Sequence, residues 1–520
     1  MQEEFTLKET FMIGVDIGTT STKAVLFNEK GHPVTKHSVE YPLLTPTPGT
    51  AEQNPEEILL AVVKSIREVL TEQHLSSENI SFVSFSSAMH SLIAVDSDGK
   101  PITNCITWAD NRSAKWAEKI KSEMNGHEIY MRTGTPIHPM SPLSKLLWMK
   151  NEKEDVFSKA SKFISIKEYV FYRFFHKYVI DYSIASATGL FNLEKLDWDE
   201  EALEIAGVTK DELSTPVSTT TIVDGLKEPY IEEIGLSEST KFVVGASDGV
   251  LSNLGVNAID PGVVAVTIGT SGAIRAVTDR PVTDPHGRIF CYALTENKWV
   301  IGGPVNNGGI TFRWVRDQFA ASEMETAKRL GIDTYEILTR IAEQVRPGSD
   351  GLIFHPYLAG ERAPLWNSDA RGSFFGLAMH HKKEHMIRAV LEGVIFNLYS
   401  VLEALKELIG EPKQIKATGG FSRSALWRQM MADIFNEEVI VPESYESSCL
   451  GAIVLGMEAL GDIDSYSIVS DLVGSTFAHQ PEEESVKLYS ELLPIYTSIS
   501  QKLTDEYKAI SAFQTNVLGK

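Results

Sequence analysis

Cysteine is scarce in this sequence, with only Cys105, Cys291 and Cys449 among 520 residues, and no two of them form a CxxC pair. This spacing argues against a disulfide framework and against a zinc cluster, and it fits a reducing cytoplasm. The acidic start Met1-Gln2-Glu3-Glu4 lacks the apolar core of a signal peptide.

The sequence also has fewer positive than negative charges, and it lacks long apolar runs. Lys and Arg total 48 against 70 Asp and Glu, which gives a formal net charge of −22. This balance argues against a general affinity for nucleic acid or an anionic membrane. No uninterrupted apolar run approaches the roughly 20 residues that span a bilayer. Hydrophobic residues at 43% are ordinary for a soluble protein, and the chain length predicts at least two large domains.

The P-loop pattern GxxxxGK[ST] is absent, so a bound nucleotide would need another kind of phosphate site. A short motif occurs twice instead, as Ile13–Thr20 (IGVDIGTT) and Val264–Ser271 (VAVTIGTS). Each copy predicts a buried strand that ends in a hairpin turn, whose backbone N–H groups and hydroxyls suit a phosphate chain. Two such turns facing each other would hold a nucleotide triphosphate from both sides.

The two copies differ where Asp16 in the first corresponds to Thr267 in the second. A carboxylate among phosphates repels them unless a cation lies between, so Asp16 predicts a Mg²⁺ site. Two unrelated strand–turn–strand units are the alternative, which the repetition makes the weaker explanation.

Strand and helix patterns alternate along the whole chain, which favours an α/β layered fold. Residues 12–40 predict three strands. Asn54-Pro55-Glu56-Glu57 predicts the start of a helix, because Asn54 can cap it and proline suits the first turn. The turn-rich segment Asn257–Gly262, just before the second copy of the motif, is the predicted domain boundary.

Asp248 lies in the segment Lys241–Gly255, which predicts a strand, a tight turn and a helix. A carboxylate there can accept a proton from a substrate hydroxyl, although a simple helix cap is the commoner role. The stretch Gly245–Gly249 also fits GxSxG, the nucleophile elbow of α/β-hydrolases, with Ser247 as the nucleophile. A hydrolase explains neither the repeated turns nor the chain length.

Glycine-rich loops precede two predicted helices. In Thr418–Ser424 (TGGFSRS) the paired glycines would let a flat ring or a phosphate approach the backbone closely. Gly302–Gly309 (GGPVNNGG) precedes a helix predicted to start near Thr311. Each loop by itself is equally consistent with a plain connection.

Candidates for binding a polyol cluster in the first half of the chain: Met89, His90, Trp108, Asp110 and Arg112. Bidentate polar side chains beside an aromatic wall are typical of sugar sites. A core histidine and a surface ion pair are the alternatives for His90 and Arg112. His381–His385 fits the zinc-protease pattern HxxEH, but its two lysines would oppose a dication, so a solvated helix end is the better interpretation.

Two long signatures then identify a family resemblance. The first is Met140–Glu152 (MSPLSKLLWMKNE), and the second runs from Gly372–Leu377 (GSFFGL) to His385–Glu392 (HMIRAVLE). The chain resembles the FGGY carbohydrate kinases over essentially its whole length after an extension at 1–11. HxxEH overlaps the second signature, which removes the zinc-protease interpretation. Closer similarity to bacterial members that act on gluconate lies in SFSSAMHS, CITWADNR, RTGTPIHPM, VVGASDGVLSNLGVNAI and VPESYESSCLGA.

The resemblance implies an α/β fold of two actin-like (ribonuclease H-like) domains with a duplicated βββαβαβα core and ATP in the cleft between them. The domains are expected at 12–256, with the sugar and first phosphate site, and at 257–520, with the nucleotide site. The implied reaction is Mg²⁺- and ATP-dependent phosphorylation of D-gluconate to 6-phosphogluconate in the cytoplasm, with another sugar such as xylulose as the alternative substrate. No nucleic-acid or membrane partner is expected, and apolar faces of the C-terminal helices fit either a homodimer contact or the core.

The resemblance also implies roles for individual residues, with Asp248 as the general base. Asp16 would act at the phosphate and Mg²⁺ site together with Gly18, Thr19 and Thr20. ATP would be held by Gly269, Thr270, Gly309, Gly419, Gly420 and Ser424, the last three beside the adenosine. The sugar would face Met89, His90, Trp108, Asp110 and Arg112. The gluconate carboxylate needs a cation, and Arg112, Lys145 and His90 are the open choices. A serine hydrolase using Ser247 and a non-catalytic actin-like nucleotide-binding protein are the alternatives from other classes.

Overall fold

The computed structural model describes residues 9–443 and 446–518. The extension predicted at 1–11 therefore lies largely outside the described residues, as do Ser444 and Tyr445. The strands in chain order are β1 (Phe11–Ile17), β2 (Ser21–Asn28), β3 (Pro33–Glu40), β4 (Glu52–Gln53), β5 (Ile80–Ser87), β6 (Ile93–Val95), β7 (Cys105–Ile106), β8 (Lys162–Ile164), β9 (Val179–Asp181), β10 (Phe191–Asn192), β11 (Asp197–Trp198), β12 (Thr215–Val217), β13 (Ile222–Val223), β14 (Lys241–Ser247), β15 (Val263–Ile268), β16 (Gly272–Thr278), β17 (Phe290–Thr295), β18 (Lys298–Val305), β19 (Ile353–His355), β20 (Ser373–Phe375), β21 (Gln414–Thr418), β22 (Val439–Pro442) and β23 (Ser475–His479).

The α-helices are α1 (Pro55–Glu72), α2 (Ala114–Glu123), α3 (Gly126–Thr133), α4 (Pro142–Glu152), α5 (Glu154–Phe157), α6 (Ile166–Phe175), α7 (Tyr182–Ser186), α8 (Glu200–Ala206), α9 (Tyr230–Ile234), α10 (Asp248–Gly255), α11 (Gly309–Phe319), α12 (Ala321–Leu330), α13 (Thr334–Glu343), α14 (Lys383–Ile409), α15 (Ala425–Phe435), α16 (Ser447–Leu460), α17 (Val469–Leu472), α18 (Glu483–Lys502) and α19 (Thr504–Leu518). The strands predicted within 12–40 are β1, β2 and β3. The predicted cap at α1 is confirmed, because the Asn54 side chain accepts the backbone N–H of Glu56.

The chain forms two compact units. The first lies within 1–259, 278–300 and 446–474, and the second within 260–277, 301–445 and 475–520. The first crossing between units falls inside the turn-rich segment Asn257–Gly262. The two later returns to the first unit carry no local signal in the sequence, since they are decided by packing between distant segments.

The first unit is built on a sheet in the order β13-β14-β5-β1-β2-β3. β1 is antiparallel to β2 and parallel to β5, which in turn is parallel to β14. Buried apolar side chains of β1 and α1, such as Ile13, Val15 and Val62, belong to one core cluster. A central strand buried on both faces is expected to be nearly continuously apolar, as this one is.

Six consecutive strands of a second sheet repeat that arrangement, in the order β18-β16-β15-β21-β22-β23. β15 is antiparallel to β16 and parallel to β21, and β21 is parallel to β22. The element order β15, β16, β18, α14, β21, α15, β22, α16 reproduces β1, β2, β3, α1, β5, α6, β14, α10. The predicted duplicated βββαβαβα core of an actin-like α/β fold is therefore confirmed.

Helices α10 and α16 pack together in the first unit with their backbones in contact. A Cβ atom added at Gly255 would lie 1.8 Å from the Ser447 carbonyl oxygen, and one at Gly451 would lie 2.2 Å from the Leu251 carbonyl oxygen. Only glycine permits so close an approach. Because α16 follows β22 in the chain, this contact explains why residues 446–474 pack as part of the first unit.

Helix α14 is long and apolar enough to cross a membrane by length and composition, but 78% of its most apolar stretch is buried inside the protein. Burial of this kind is typical of a core helix in a globular domain. The helix thus forms the centre of the second unit rather than an anchor.

His355 makes the stability of the second unit depend on pH. Burial lowers the pKa of His355 to about 4, and its Nε2 donates to the Tyr496 carbonyl 3.0 Å away. The folded protein therefore keeps this histidine neutral while the unfolded chain protonates it below about pH 6.5, so stability is lost as pH falls from there towards 4. We expect the free energy of unfolding to fall by on the order of 2 kcal/mol from this group between about pH 7 and about pH 5.

Urea unfolding followed by circular dichroism at both pH values measures this dependence. His355→Gln, which keeps a donor, should reduce the acid-side loss, whereas the same change at exposed His32 should not. An unchanged pH dependence in His355→Gln would show that other groups cause it.

Candidate active site

The first predicted phosphate turn is the hairpin between β1 and β2, closed by the Gly18 N–H donating to the Ser21 carbonyl at 3.0 Å. Thr19 is fixed on two sides. The Trp108 indole donates to its hydroxyl at 2.9 Å, and the Gln53 amide donates to its carbonyl at 2.5 Å. Thr20 is exposed at the tip. The structure therefore brings Trp108, predicted at the sugar site, into direct contact with a residue predicted at the phosphate site.

Asp16 ends the same strand and receives one hydroxyl on each carboxylate oxygen. Ser86 donates to Oδ1 at 2.7 Å, and Ser448 at the start of α16 donates to Oδ2 at 3.0 Å. Beside it, Lys23 forms an ion pair with Glu446 at 2.7 Å. A partly exposed carboxylate with neutral hydroxyl neighbours offers the oxygen ligands that Mg²⁺ prefers, so the donor set fits the predicted metal.

Asp248 begins α10 directly after β14, without the separate turn that the sequence predicts. The direct junction depends on Gly245, which has φ of +71° and whose added Cβ would lie 1.8 Å from the Phe85 carbonyl oxygen. The pairing of β14 with β5 shifts register at this glycine. Asp248 is half-buried, and its Oδ1 accepts the Gly249 N–H at 2.6 Å. The cap of α10 is Ser247 rather than Asp248.

A buried ion pair supports the end of β14. Lys167 Nζ lies 2.5 Å from Asp181 Oδ2, and both side chains are almost fully buried. The same ammonium donates to the carbonyls of Val244 and Ala246 at 3.2 and 3.3 Å. Burial lowers the pKa of Lys167, while Asp181 acts in the opposite direction. Sequence reasoning missed this pair, since Lys167 and Asp181 carry no recognisable motif.

Ser247 does not resemble a hydrolase nucleophile. It is fully buried, and its hydroxyl accepts a hydrogen bond from Ser183 at 2.9 Å. Its backbone N–H also donates to the Ser183 hydroxyl at 3.1 Å. A nucleophile must be reachable by substrate and hydrogen-bonded to a base, so the GxSxG interpretation is wrong: burial of the hydroxyl overturns it.

Asp110 and Arg112 form hydrogen bonds and ion pairs with each other and with nearby residues of the first unit. The Asp110 carboxylate accepts the Ala51 N–H at 2.9 Å and the Arg112 Nε–H at 3.0 Å. Arg112 also pairs with Glu52 at 2.5 Å, and its guanidinium lies 4.6 Å from the centre of the Trp148 ring. This network fixes the loop that carries Trp108.

The other polyol candidates lie close by in the fold of the first unit. His90 is buried with φ of +68°, and its Nδ1 donates to the Ala187 carbonyl at 2.7 Å. Met89 beside it is half-buried. Lys145 is fully buried and donates to the carbonyls of His90, Thr107 and Met140 at 2.6–2.8 Å. Burial lowers the pKa of Lys145 to about 7, and its donors hold together the two loops that carry His90 and Trp108.

In the second unit, the hairpin between β15 and β16 forms the second predicted phosphate turn. The Gly269 N–H donates to the Ser271 carbonyl at 2.9 Å. A cavity of about 640 Å³ opens beside it, lined by Gly269, Thr270, Gly309, Gly420 and Ser424 together with the aromatic side chains of Phe312, Tyr335 and Trp427. Gly419, next to the lining, has φ of +102° and lies against Ile268. The structure thus brings all six residues predicted to hold ATP to one place.

The aromatic wall of this cavity was missed by sequence reasoning. The Phe312 ring lies 5.1 Å from that of Tyr335 and 5.7 Å from that of Trp427. These side chains come from three separate helices, so the only signal in the sequence is ordinary amphipathic spacing. A cavity of this size that combines aromatic rings with charged side chains such as Arg313, Arg340 and Arg423 suits a nucleotide-sized ligand.

The HxxEH stretch ends outside any cluster of metal ligands. His385 Nε2 lies 3.2 Å from Asp350, and its Nδ1 accepts the Lys382 N–H at the start of α14. Within 9–443 and 446–518, no group of three His, Cys, Asp or Glu side chains could hold a metal ion.

Comparison with known proteins agrees with these observations. The model of the N-terminal domain of the FGGY family of carbohydrate kinases matches residues 11–255, and that of the C-terminal domain matches 264–460. A gluconokinase of Bacillus subtilis is 63% identical over 98% of this chain and 99% of its own. Crystal structures described as gluconate kinase and as ligand-bound xylulose kinase, both from Lactobacillus acidophilus, each superpose with a TM-score of 0.91 at 40% identity, over 96% of this chain and 100% of theirs. The chain therefore belongs to the FGGY family of carbohydrate kinases.

Proposed function

We propose that this kinase phosphorylates D-gluconate at its terminal hydroxyl with Mg·ATP as donor, giving 6-phosphogluconate in the cytoplasm. The observation that carries the proposal is the 63% identity to a gluconokinase over nearly the whole chain. The relatives solved at 40% identity bear both sugar names, so they leave xylulose as the second candidate.

The nucleotide belongs in the second unit. The adenine ring lies against the aromatic wall of Phe312, Tyr335 and Trp427, with Gly419, Gly420 and Ser424 beside the adenosine. The phosphates are assigned to Gly269, Thr270 and Gly309, where the two glycines leave room for a phosphate beside the Thr270 hydroxyl, which can donate to it. The cavity of about 640 Å³ beside that hairpin supports this assignment.

Asp16 is assigned to the metal in the first unit, with the hydroxyls of Thr19 and Thr20 as donors to the phosphates and Gly18 closing the turn that carries them. When bound, Mg²⁺ neutralises charge on the phosphates of the donor nucleotide. The hydroxyls of Ser86 and Ser448 hold both carboxylate oxygens of Asp16 in place. Fixed donors of this kind need little reorganisation as charge moves during the reaction.

Asp248 is the general base that accepts the proton of the attacking hydroxyl. The backbone that leads into Asp248 is shaped by Gly245. It is also held by Lys167, which donates to the carbonyls of Val244 and Ala246. A carboxylate on a rigid strand–helix junction keeps its orientation towards substrate, and positioning supplies much of the rate in phosphoryl transfer.

The sugar is assigned to the loops that carry Met89, His90, Trp108, Asp110 and Arg112. For the gluconate carboxylate, the structure disfavours Lys145 because it is fully buried and donates to three carbonyls. Arg112 keeps 22% of its side chain exposed, and we assign the carboxylate to it. Its two acidic partners set the orientation of the guanidinium.

A substrate panel tests the proposed reaction. ADP release from Mg·ATP should be fastest with D-gluconate and much slower with xylulose, ribulose and glycerol, because only gluconate presents a carboxylate to Arg112. A coupled assay measures the rates, and 6-phosphogluconate is identified by mass spectrometry. Faster turnover of xylulose than of gluconate would reject the substrate assignment while leaving the kinase activity intact.

The base is tested with Asp248→Asn, which keeps the size of the side chain but removes its ability to take a proton. We expect kcat to fall by about 10²-fold or more, while the affinity for ATP stays close to that of the wild type. Steady-state kinetics and calorimetric titration with ATP measure the two quantities. Near-normal turnover in this variant would remove Asp248 from the role.

A further inference from the structure

Glu361 is a fully buried carboxylate surrounded by N–H donors. Its Oε1 accepts the backbone N–H groups of Asn306 and Arg362 at 2.5 and 2.8 Å. Its Oε2 accepts the side-chain amides of Asn307 and Asn397 at 3.0 and 2.8 Å. Burial raises the pKa of Glu361, and these donors oppose that change. A carboxylate is costly to bury unless it is hydrogen-bonded on both oxygens, as this one is.

Two of these donors belong to the segment that touches the second phosphate turn. Directly after Asn306 and Asn307, the Gly309 N–H donates to the Gly269 carbonyl at 2.7 Å, and the N–H groups of Gly308 and Ile310 donate to the Thr270 carbonyl at 3.2 and 3.1 Å. The fit is tight, since a Cβ atom at Gly308 would lie 2.4 Å from the Ser271 carbonyl oxygen. Any shift of the segment 306–309 therefore moves the hairpin.

We propose that Glu361 is a positioning residue for the phosphates of the nucleotide. It fixes the segment 306–309, and that segment fixes the Gly269–Ser271 turn. This inference rests on the proposed function, which places the phosphates at this turn. Glu361 itself does not touch the nucleotide, and nothing in its role requires it to change protonation state.

Replacing Glu361 by glutamine changes its charge and its hydrogen-bonding groups while keeping its shape. Glu361→Gln has nearly the same volume, but its NH₂ group faces the backbone N–H groups of Asn306 and Arg362 in one orientation. In the other orientation it faces the amides of Asn307 and Asn397, and only the Asn397 amide can turn to accept, since its Oδ1 has no partner among the described residues. A buried donor facing donors loses its hydrogen bonds and is not solvated in exchange. The segment 306–309 should then shift or loosen while the aromatic wall of the cavity stays in place.

Glu392 provides the matched control in the same unit. It is also buried, and it accepts hydrogen bonds from the Gly348 N–H, the Ser349 hydroxyl, Arg388 and Tyr489 at 2.7–2.9 Å. None of these partners lies in the segment 306–309 or in the Gly269–Ser271 turn. Glu392→Gln therefore removes a buried negative charge of the same kind, here one paired with Arg388, without touching the phosphate turn.

The experiment compares wild type, Glu361→Gln and Glu392→Gln by calorimetric titration with a non-hydrolysable ATP analogue and with adenosine, alongside thermal melting and kinetics. Glu361→Gln should weaken binding of the analogue and raise the KM for ATP by roughly 10-fold, as expected for loss of one or two good hydrogen bonds to phosphate. Its affinity for adenosine and its KM for gluconate should stay unchanged. Glu392→Gln should lower the melting temperature but leave the affinity for the analogue as in wild type.

Equal loss of affinity for adenosine and for the analogue, or equal effects of both variants, would overturn the positioning role in favour of general stability. A further variant, Thr270→Ala, distinguishes failure of the positioning role from failure of the proposed function. If Thr270→Ala weakens the analogue but Glu361→Gln does not, the positioning role is refuted and the phosphate site stands. If neither weakens it, the phosphate assignment itself fails. Should Glu361→Gln not fold, Asn307→Ser removes one donor to Glu361 from the segment and should give a smaller change of the same kind.

Discussion

In each unit a buried charged side chain forms hydrogen bonds that fix the backbone next to predicted site residues. This side chain is Lys167 in the first unit and Glu361 in the second. Lys167 binds the carbonyls of Val244 and Ala246 just before Asp248. Glu361 binds the segment that packs on the Gly269 hairpin. A phosphoryl transferase supplies mostly orientation and fixed charge, so the residues that contact substrates work only if their turns are rigid.

The two copies of the core have diverged at equivalent positions of an otherwise shared frame. In the first, Asp16 on β1 accepts a hydrogen bond from Ser86 on the neighbouring parallel strand β5. In the second, Thr267 on β15 pairs with Thr418 on β21, with 3.1 Å between their hydroxyl oxygens. The backbone register is the same in both, since Asp16 lies opposite Ser86 and Thr267 opposite Thr418. One copy therefore offers a carboxylate suited to a metal, and the other offers neutral hydroxyl groups at the equivalent position.

Two glycines explain why α16, the last helix of the second copy of the core, packs in the first unit. Gly255 and Gly451 let α10 and α16 approach to backbone contact, and Ser448 at the start of α16 reaches Asp16. A residue from late in the chain thus completes the surroundings of a residue near its beginning. No local pattern in the sequence links positions 16 and 448, so this part of the site becomes visible only in the tertiary structure.

The sequence by itself determined the repeated strand–turn–strand motif, because apolar runs and glycine turns are local patterns. Its resemblance to the FGGY kinases supplied the family, the duplicated α/β core and the six residues that the structure brings together at the cavity of the second unit. The tertiary structure alone decided that Ser247 is buried, that Lys145 is occupied by carbonyls, and that Lys167 and Glu361 support the two turns. It also decided which aromatic side chains form the cavity wall. Burial and the choice of hydrogen-bond partner depend on distant segments meeting, and the identity of a residue does not reveal which segment it will meet.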